Sequence, residues 1–243
     1  SERYRTTLVH YKEDASDKKK LAEYTKNQQN KLLTQTKSKE ATYKKILEEK
    51  LALRDAFESE LANFEAELQF NIAPSRLPKT GSGVLAWPLD KIKITQEFGD
   101  TEFSRTHVGV YSGKGHNGVD FAAPIGTKVK SSSGGKVVGT GDTDAVCPGA
   151  SYGKWVLVEH ANGLSTLYAH LSLLKVSAGD TLQTGGTVGY SGNTGYSTGP
   201  HLHFTVYATQ GVKILSKKSA VSKGTYTMHI PEQHAYLKPL LYL

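Results

Sequence analysis

The first 72 residues carry apolar side chains at helical spacing. Phe57, Leu61, Phe64 and Leu68 recur at intervals of four, three and four, which places them on one face of a helix. The segment is rich in Lys, Glu, Ala, Leu and Gln, which favour helix, and it contains no glycine. We therefore predict a long helix or helical hairpin over residues 1–72.

The apolar face weakens toward the N-terminus of this segment. The corresponding upstream positions are Leu21, Tyr24, Gln28 and Lys31. The spacing suits a coiled-coil or hairpin seam, but these residues are too polar for a strong dimer. Two interpretations stay open: a partner-docking or lid helix, and a solvated spacer.

The composition changes sharply near residue 80. All 24 glycines lie from Gly81 onward, and the first proline is Pro74. We predict a linker over residues 73–83 and a second domain over residues 84–243. There, short β-branched runs separated by glycine predict strands at residues 92–95, 128–131, 136–138, 154–159, 164–170 and 201–207. The expected fold is thus α+β by segments, with the helical part followed by an all-β domain.

One turn in the second domain has a specific signature. Asn162-Gly163 separates two predicted strands and suits a two-residue type I′ hairpin. This turn would pair Glu159 with Thr166 and Leu157 with Tyr168.

The composition limits which metal ligands and binding partners are possible. Cys147 is the only cysteine, which excludes an internal disulfide and a cysteine-based zinc finger, so any metal must use His, Asp or Glu. The formal charge of +7 favours anionic partners, but acidic residues interrupt the basic helical segment and no nucleic acid is expected. No apolar run approaches the ~18 residues of a membrane span. Because the chain opens on Ser1 and its only methionine is Met228, we expect a processed product or fragment that lacks its targeting segment.

The histidines and one aspartate supply the candidate chemistry. His116 and Asp120 are four residues apart, and His201 and His203 are two apart, so each pair shares one face of a strand. Two histidines and an aspartate would give zinc three ligands and leave a fourth position for water. The surplus imidazoles, with His170 and His201 as candidates, could then take up a proton and stabilise an oxyanion.

Four segments carry a family resemblance when they are taken together. They are GHNGVD at residues 115–120, YAHL at 168–171, SGNTG at 191–195 and STGPHLHF at 197–204. In this order they closely resemble the LytM-type, or M23, zinc metallopeptidases, over roughly Trp87 to Tyr207. The resemblance implies a β-rich LytM fold, one zinc ion held by His116, Asp120 and His203, and catalytic roles for His170 and His201.

The resemblance also implies a function. Members of that family hydrolyse peptide bonds in the stems or cross-bridges of bacterial peptidoglycan, so we expect a zinc metalloendopeptidase outside the cytoplasm, in the cell envelope or secreted. N-terminal helices before such a domain loosely resemble EnvC-type murein hydrolase activators, which offers an alternative: a non-catalytic regulator that activates a cell-wall amidase. Metal ligands are often lost in those activators, whereas all five positions are filled here.

Two roles are expected of the helices. An unrestrained cell-wall hydrolase would endanger its maker, so we expect the helices to gate the groove. They are also candidates to dock a divisome or membrane-protein partner, as in cell division.

The remaining sequence motifs and residues give weaker evidence of function. A G-x-G-x-x-G match at residues 113–118 and a G-x-S-x-G match at 195–199 both lack the helix that those motifs require, so we reject them. His107 is expected to be at most an outer contact, and Cys147 is not expected to be a nucleophile. A loop at residues 143–152 and the tail after Gln210 depart from the family pattern, and could shape substrate choice or decorate an edge.

Overall fold

The structure, a computed structural model, describes residues 2–36, 40–67, 72–73, 75, 77–106, 115–222 and 224–243. Two long helices open the chain, α1 (Glu2–Thr36) and α2 (Glu40–Ala66), and a largely antiparallel sheet follows, which confirms the predicted fold class. By packing, the chain forms two compact units, Ser1–Lys50 and Leu51–Leu243. The end of α2 therefore belongs with the sheet. The boundaries at residues 72 and 83 stay a prediction.

The first unit is helical and exposes many apolar side chains. Tyr4, Leu8 and Tyr11 on α1 are each more than half exposed, with fractions of 79%, 53% and 72%. Among the helices described, none combines the length and apolar character needed to cross a bilayer.

The second unit is built on a ten-stranded sheet. The strands are β1 (Ile94–Gln96), β2 (Val119–Ala122), β3 (Lys128–Lys130), β4 (Gly135–Asp142), β5 (Lys154–His160), β6 (Leu164–Leu174), β7 (Thr181–Leu182), β8 (Thr187–Ser191), β9 (His201–Ala208) and β12 (Tyr236–Leu237). The main path of the sheet runs β1-β2-β9-β6-β5-β4-β7, with β12 also paired to β9, and β8 paired to β6 and β3. All its strand pairs within the described ranges are antiparallel. A short helix, α3 (Glu102–Thr106), follows the first strand.

The central strands are buried on both faces. On β9, Leu202, Phe204 and Val206 enter one apolar cluster, while Tyr207 enters a second cluster on the opposite face. Because side chains alternate along a strand, His203 shares the face of Tyr207. The second cluster also contains residues from the end of α2, so the helix covers the histidine-bearing face of the sheet.

The predicted hairpin register is wrong by one residue. Glu159 pairs with Ser165 and Leu157 with Leu167. The turn has three residues between the strands, Gly163 has a positive φ of 82°, and its amide donates to the His160 carbonyl. This geometry fits a type I turn closed by a glycine bulge rather than a two-residue turn.

The tail after Gln210 forms a second, two-stranded sheet. Strands β10 (Val212–Lys218) and β11 (Thr225–Pro231) pair from Val212 opposite Pro231 to Lys218 opposite Thr225. Tyr226, Met228 and Ile230 alternate along β11 and pack into the second cluster. The sequence analysis missed this hairpin, although this apolar alternation was its signal.

Candidate active site

Two paired strands place the central residues of the site. Asp120 on β2 lies directly opposite His203 on β9, and Ala122 lies opposite His201. His116 precedes β2 and is held by paired backbone hydrogen bonds to Gly99. The antiparallel register therefore brings together residues that are more than 80 positions apart in the chain.

His116, Asp120 and His203 form a compact triangle of donor atoms. His203 Nδ1 lies 2.8 Å from Asp120 Oδ1, and His116 Nε2 lies 3.1 Å from His203 Nδ1 and 3.2 Å from Asp120 Oδ1. All three residues are buried. A tetrahedral zinc with bonds of ~2.0–2.1 Å needs ligand atoms about 3.3 Å apart, so a small expansion of this triangle would accept the ion.

Outer hydrogen bonds orient both imidazoles of the triangle. His116 Nδ1 lies 2.9 Å from the carbonyl oxygen of Glu97, which can only accept, so Nδ1 carries the proton and Nε2 is the donor atom toward a metal. His203 Nε2 lies 2.9 Å from Thr205 Oγ1, which leaves His203 Nδ1 facing the triangle. Such outer partners fix the tautomer and orientation of metal-binding histidines.

The environment sets the charge of the triangle. Burial by itself would raise the pKa of Asp120, but the close contacts of its carboxylate with His116 and His203 outweigh burial and hold this pKa below its usual range. Burial lowers the pKa of His203 despite its bond to Asp120. A carboxylate and two imidazole nitrogens that face one another form a donor set that suits a divalent metal.

His170 and His201 flank the triangle. Their ring centroids are 4.6 Å apart, and the His170 ring lies 5.8 Å from that of His203. His170 Nδ1 donates to the Thr194 carbonyl at 2.8 Å, and His201 Nδ1 donates to the Gly199 carbonyl at 2.8 Å. Each ring thus keeps Nε2 as its basic nitrogen.

The two flanking histidines differ in their surroundings. Burial, followed by repulsion from His201 and His203, lowers the pKa of His170 well below its ordinary value, so this ring is neutral. His201 is more exposed, and its Nε2 lies 3.7 Å from Asp120 Oδ1.

All five residues line one cavity of about 960 Å³. The opposite wall is contributed by α2, through Glu58, Leu61, Ala62 and Glu65. We call residues 54–65 of α2 the covering segment. The candidate site is thus a groove on the sheet with a helix lying across it.

The structure brings all five sequence-predicted site residues together. His107 lies outside the described residues. Sequence reasoning missed the outer partner Thr205, although its position two residues after His203 on one strand face was an available signal. It also missed Tyr152 and the covering segment, which come from other parts of the chain.

A sheet that gathers two histidines and an aspartate in a groove, beside two further imidazoles, has the layout of a metallopeptidase domain. Residues 114–216 match Peptidase family M23. The resemblance to this family that the motifs predicted is therefore confirmed over residues 114–216.

Several named proteins are similar to part of this chain. The DD-carboxypeptidase/endopeptidase Mpg of Neisseria meningitidis serogroup B is 39% identical over 117 residues, covering 48% of this chain and 25% of that protein. The peptidoglycan DD-endopeptidase ShyA of Vibrio cholerae is 47% identical over 89 residues, covering 37% of this chain and 19% of that protein. The chain thus spans a quarter or less of the length of these relatives. Among solved structures, the catalytic domain of lysostaphin from Staphylococcus simulans is similar at 29% identity with a TM-score of 0.44, covering 61% of this chain and 90% of that one.

Proposed function

We propose that this protein is a zinc-dependent endopeptidase that hydrolyses peptide bonds in the stems or cross-bridges of bacterial peptidoglycan. The donor triangle of His116, Asp120 and His203, flanked by His170 and His201 in one groove, is the observation that carries this proposal. We assign the first three residues to zinc and the last two to proton transfer. When bound, zinc would supply the Lewis acidity that polarises a carbonyl and acidifies water near neutral pH.

The flanking histidines supply the acid–base chemistry. The neutral His170 accepts a proton at Nε2 from the attacking water, because its Nδ1 proton is committed to Thr194. His201, once protonated at Nε2 beside Asp120, donates to the oxygen of the attacked carbonyl. Neither role requires a residue outside the groove.

The proposed substrate class rests on the names of the relatives. Their names describe endopeptidases, one of them explicitly acting on peptidoglycan, and the matched segment contains all five site residues. Peptidoglycan lies outside the cytoplasm, so we place the protein in the cell envelope or among secreted proteins. A divisome or membrane-protein partner for the helices stays a prediction.

Mass spectrometry of digested sacculi tests the proposal. Purified sacculi would be incubated with the full chain and zinc, with and without a chelator. New peptide ends in stems or bridges that disappear with chelator support the proposal and identify the bond. No products, together with stimulation of a cell-wall amidase that survives His116→Ala, would replace it with the regulator alternative.

We also propose that the covering segment gates the groove. Phe57 is fully buried and packs edge-on against Tyr226 at 5.1 Å, and Leu61 is 7% exposed. Burying these two side chains stabilises the docked helix by roughly 1.5–3 kcal/mol each. The covering segment therefore docks on the tail hairpin, formed by β10 and β11, which lies mostly beyond the family match.

Glu60 connects the covering segment to the tail through several hydrogen bonds. One carboxylate oxygen accepts from Ser219 Oγ at 3.0 Å and from the amides of Ala220 and Val221 at 3.1 and 3.3 Å. The other accepts from the Tyr226 hydroxyl at 3.1 Å. Because four donors meet this one carboxylate, we expect its loss to destabilise the docked covering segment. We call this set of hydrogen bonds the latch.

Other contacts of the covering segment reach the groove itself. Glu58 accepts a hydrogen bond from the Ser151 amide, and Glu65 accepts one from the Tyr236 hydroxyl at 3.1 Å. The guanidinium of Arg54 lies 4.6 Å above the Tyr196 ring. Because Ser151, Tyr196 and Tyr236 also line the cavity, substrate entry requires these contacts to open.

A further inference from the structure

Tyr152 touches three separate parts of the site without belonging to the metal triangle or the proton-transfer pair. Its ring lies 5.7 Å from the His203 ring, its carbonyl accepts from the His170 amide at 2.9 Å, and its hydroxyl accepts from Asn117 Nδ2 at 2.6 Å. It ends the loop at residues 143–152 that departs from the family pattern. The proposed chemistry assigns it no role.

We propose that Tyr152 is a positioning residue that aligns His170, His203 and the turn carrying His116, a role that rests on the proposed function of these histidines. It acts through its carbonyl, its ring and its hydroxyl at the same time.

The carbonyl contact concerns a strained backbone. His170 has a φ of 58°, in the left-handed region that residues with a side chain rarely adopt. Its amide is held by the Tyr152 carbonyl, and its Nδ1 is held by the Thr194 carbonyl. Two fixed acceptors therefore determine where His170 Nε2 points.

The hydroxyl contact concerns the turn between the first two metal candidates. Asn117 follows His116 directly, and its side chain donates to the Tyr152 hydroxyl. Burial raises the pKa of Tyr152, so the hydroxyl is protonated throughout the physiological range. The bond ties the turn to the loop and restricts the movement of His116.

The ring is supported from behind by the tail. His229 on β11 lies 4.5 Å from the Tyr152 ring, and Trp155 lies 4.9 Å from the His229 ring. His229 is 1% exposed, and burial lowers its pKa to about 3, so it packs as a neutral ring. Tyr152 is therefore clamped between His229 and His203, and residue 229 lies beyond the segment that matches the family.

A double-mutant cycle in the full chain tests the positioning role. Tyr152→Phe removes only the hydroxyl, Asn117→Ala removes its partner, and the double variant removes both. Tyr168→Phe is the matched control, because it also deletes a buried tyrosine hydroxyl, one that accepts from the Ser132 amide in the other cluster. The readouts are zinc affinity by chelator competition, the absorption spectrum of the cobalt-substituted protein, kcat and KM, and Tm.

We expect each single variant to weaken zinc binding and lower kcat by about tenfold, with KM unchanged and an altered cobalt spectrum. The double variant should lose no more than either single one. Tyr168→Phe should lower Tm and leave the spectrum unchanged. Wild-type zinc affinity and spectrum in Tyr152→Phe, or fully additive losses, would overturn the proposal. If the wild-type chain cleaves no peptidoglycan, the proposed function fails, while the metal readouts still decide the role of Tyr152.

Discussion

Gly118 lies directly against His203. A Cβ atom added at Gly118 would be 2.6 Å from His203 Cε1 and 2.6 Å from the Phe204 carbonyl oxygen. The neighbouring backbone cannot yield as a flexible side chain would, so any larger residue here pushes β9 away from the turn that carries His116.

Gly118→Ala is therefore expected to weaken zinc binding and hydrolysis by at least about tenfold. Isothermal titration with zinc and a peptidoglycan hydrolysis assay would measure both. The matched control is Gly134→Ala, where the nearest atom to the added Cβ is the Leu182 carbonyl oxygen at 3.6 Å. Equal losses in the two variants would show that the effect is general rather than local to His203.

Thr205 is predicted to tune the metal site through His203. Its Oγ1 is the partner of His203 Nε2 at 2.9 Å, and the side chain is fully buried. Thr205→Val keeps the shape and removes the hydroxyl, so zinc affinity should fall about 10- to 100-fold. Chelator competition would measure the affinity, and an unchanged value would show that the hydroxyl does not orient the ring.

The accessibility of Cys147 offers a direct test of the proposed gate. This residue is 1% exposed, and it packs in the same cluster as Phe57 and Leu61 of the covering segment. Glu60→Gln should weaken the latch and raise the rate at which a disulfide reagent labels this only cysteine by about tenfold, the effect of ~1.4 kcal/mol. The labelling rate would be followed spectrophotometrically at fixed pH.

Glu67→Gln is the control for this experiment. Glu67 follows the covering segment and its side chain is exposed, so its substitution should leave the labelling rate unchanged. Hydrolysis by Glu60→Gln should increase in parallel with labelling. Faster labelling without faster hydrolysis would mean that the helix covers Cys147 but does not limit access to the site.

Glu58 is predicted to make the proposed gate sensitive to pH. Burial raises its pKa from 4.5 to about 7, against the opposing effects of the Ser151 amide and Arg54, while Glu65 and Asp55 raise it further. Protonated Glu58 favours the docked state of the covering segment over the open state. This contribution is therefore complete below pH about 4.5, declines as the pH rises, and is lost above pH about 7. In that window the gate equilibrium shifts toward opening by up to about tenfold per pH unit.

The comparison with Glu58→Gln isolates this effect. Glutamine keeps the acceptor oxygen and does not titrate, so the ratio of wild-type to variant labelling at Cys147 should rise between pH 5 and 7 and then level off. A dithiopyridine reagent permits labelling over that range. A constant ratio would contradict the pH-sensitive gate.

The grouping of the five candidate residues could be predicted because local periodicity fixes most of their placement. His201 and His203 share one face of a strand, and the GHNGVD motif fixes the spacing of His116 and Asp120. The register between β2 and β9 then follows from burial of Val119 and Phe121 on one face, opposite Phe204 and Leu202.

Other features depend on contacts that no local pattern reveals. The spacing of Phe57 and Leu61 predicted a helix with an apolar face, but not that this face meets Tyr226, more than 160 residues away. The error at Asn162-Gly163 has a local cause, since the same dipeptide serves both two-residue and three-residue hairpins. A single additional turn residue shifted every predicted partner by one.

The central claim is that His203 holds a catalytic zinc ion, and zinc content measured together with hydrolysis tests it most directly. His203→Ala would be compared with His234→Ala, which removes an exposed histidine paired only with Glu232 among the contacts described. We predict about one zinc per wild-type and His234→Ala chain, with full hydrolysis of peptidoglycan, and loss of both in His203→Ala. Full zinc content and full hydrolysis in His203→Ala would contradict the account.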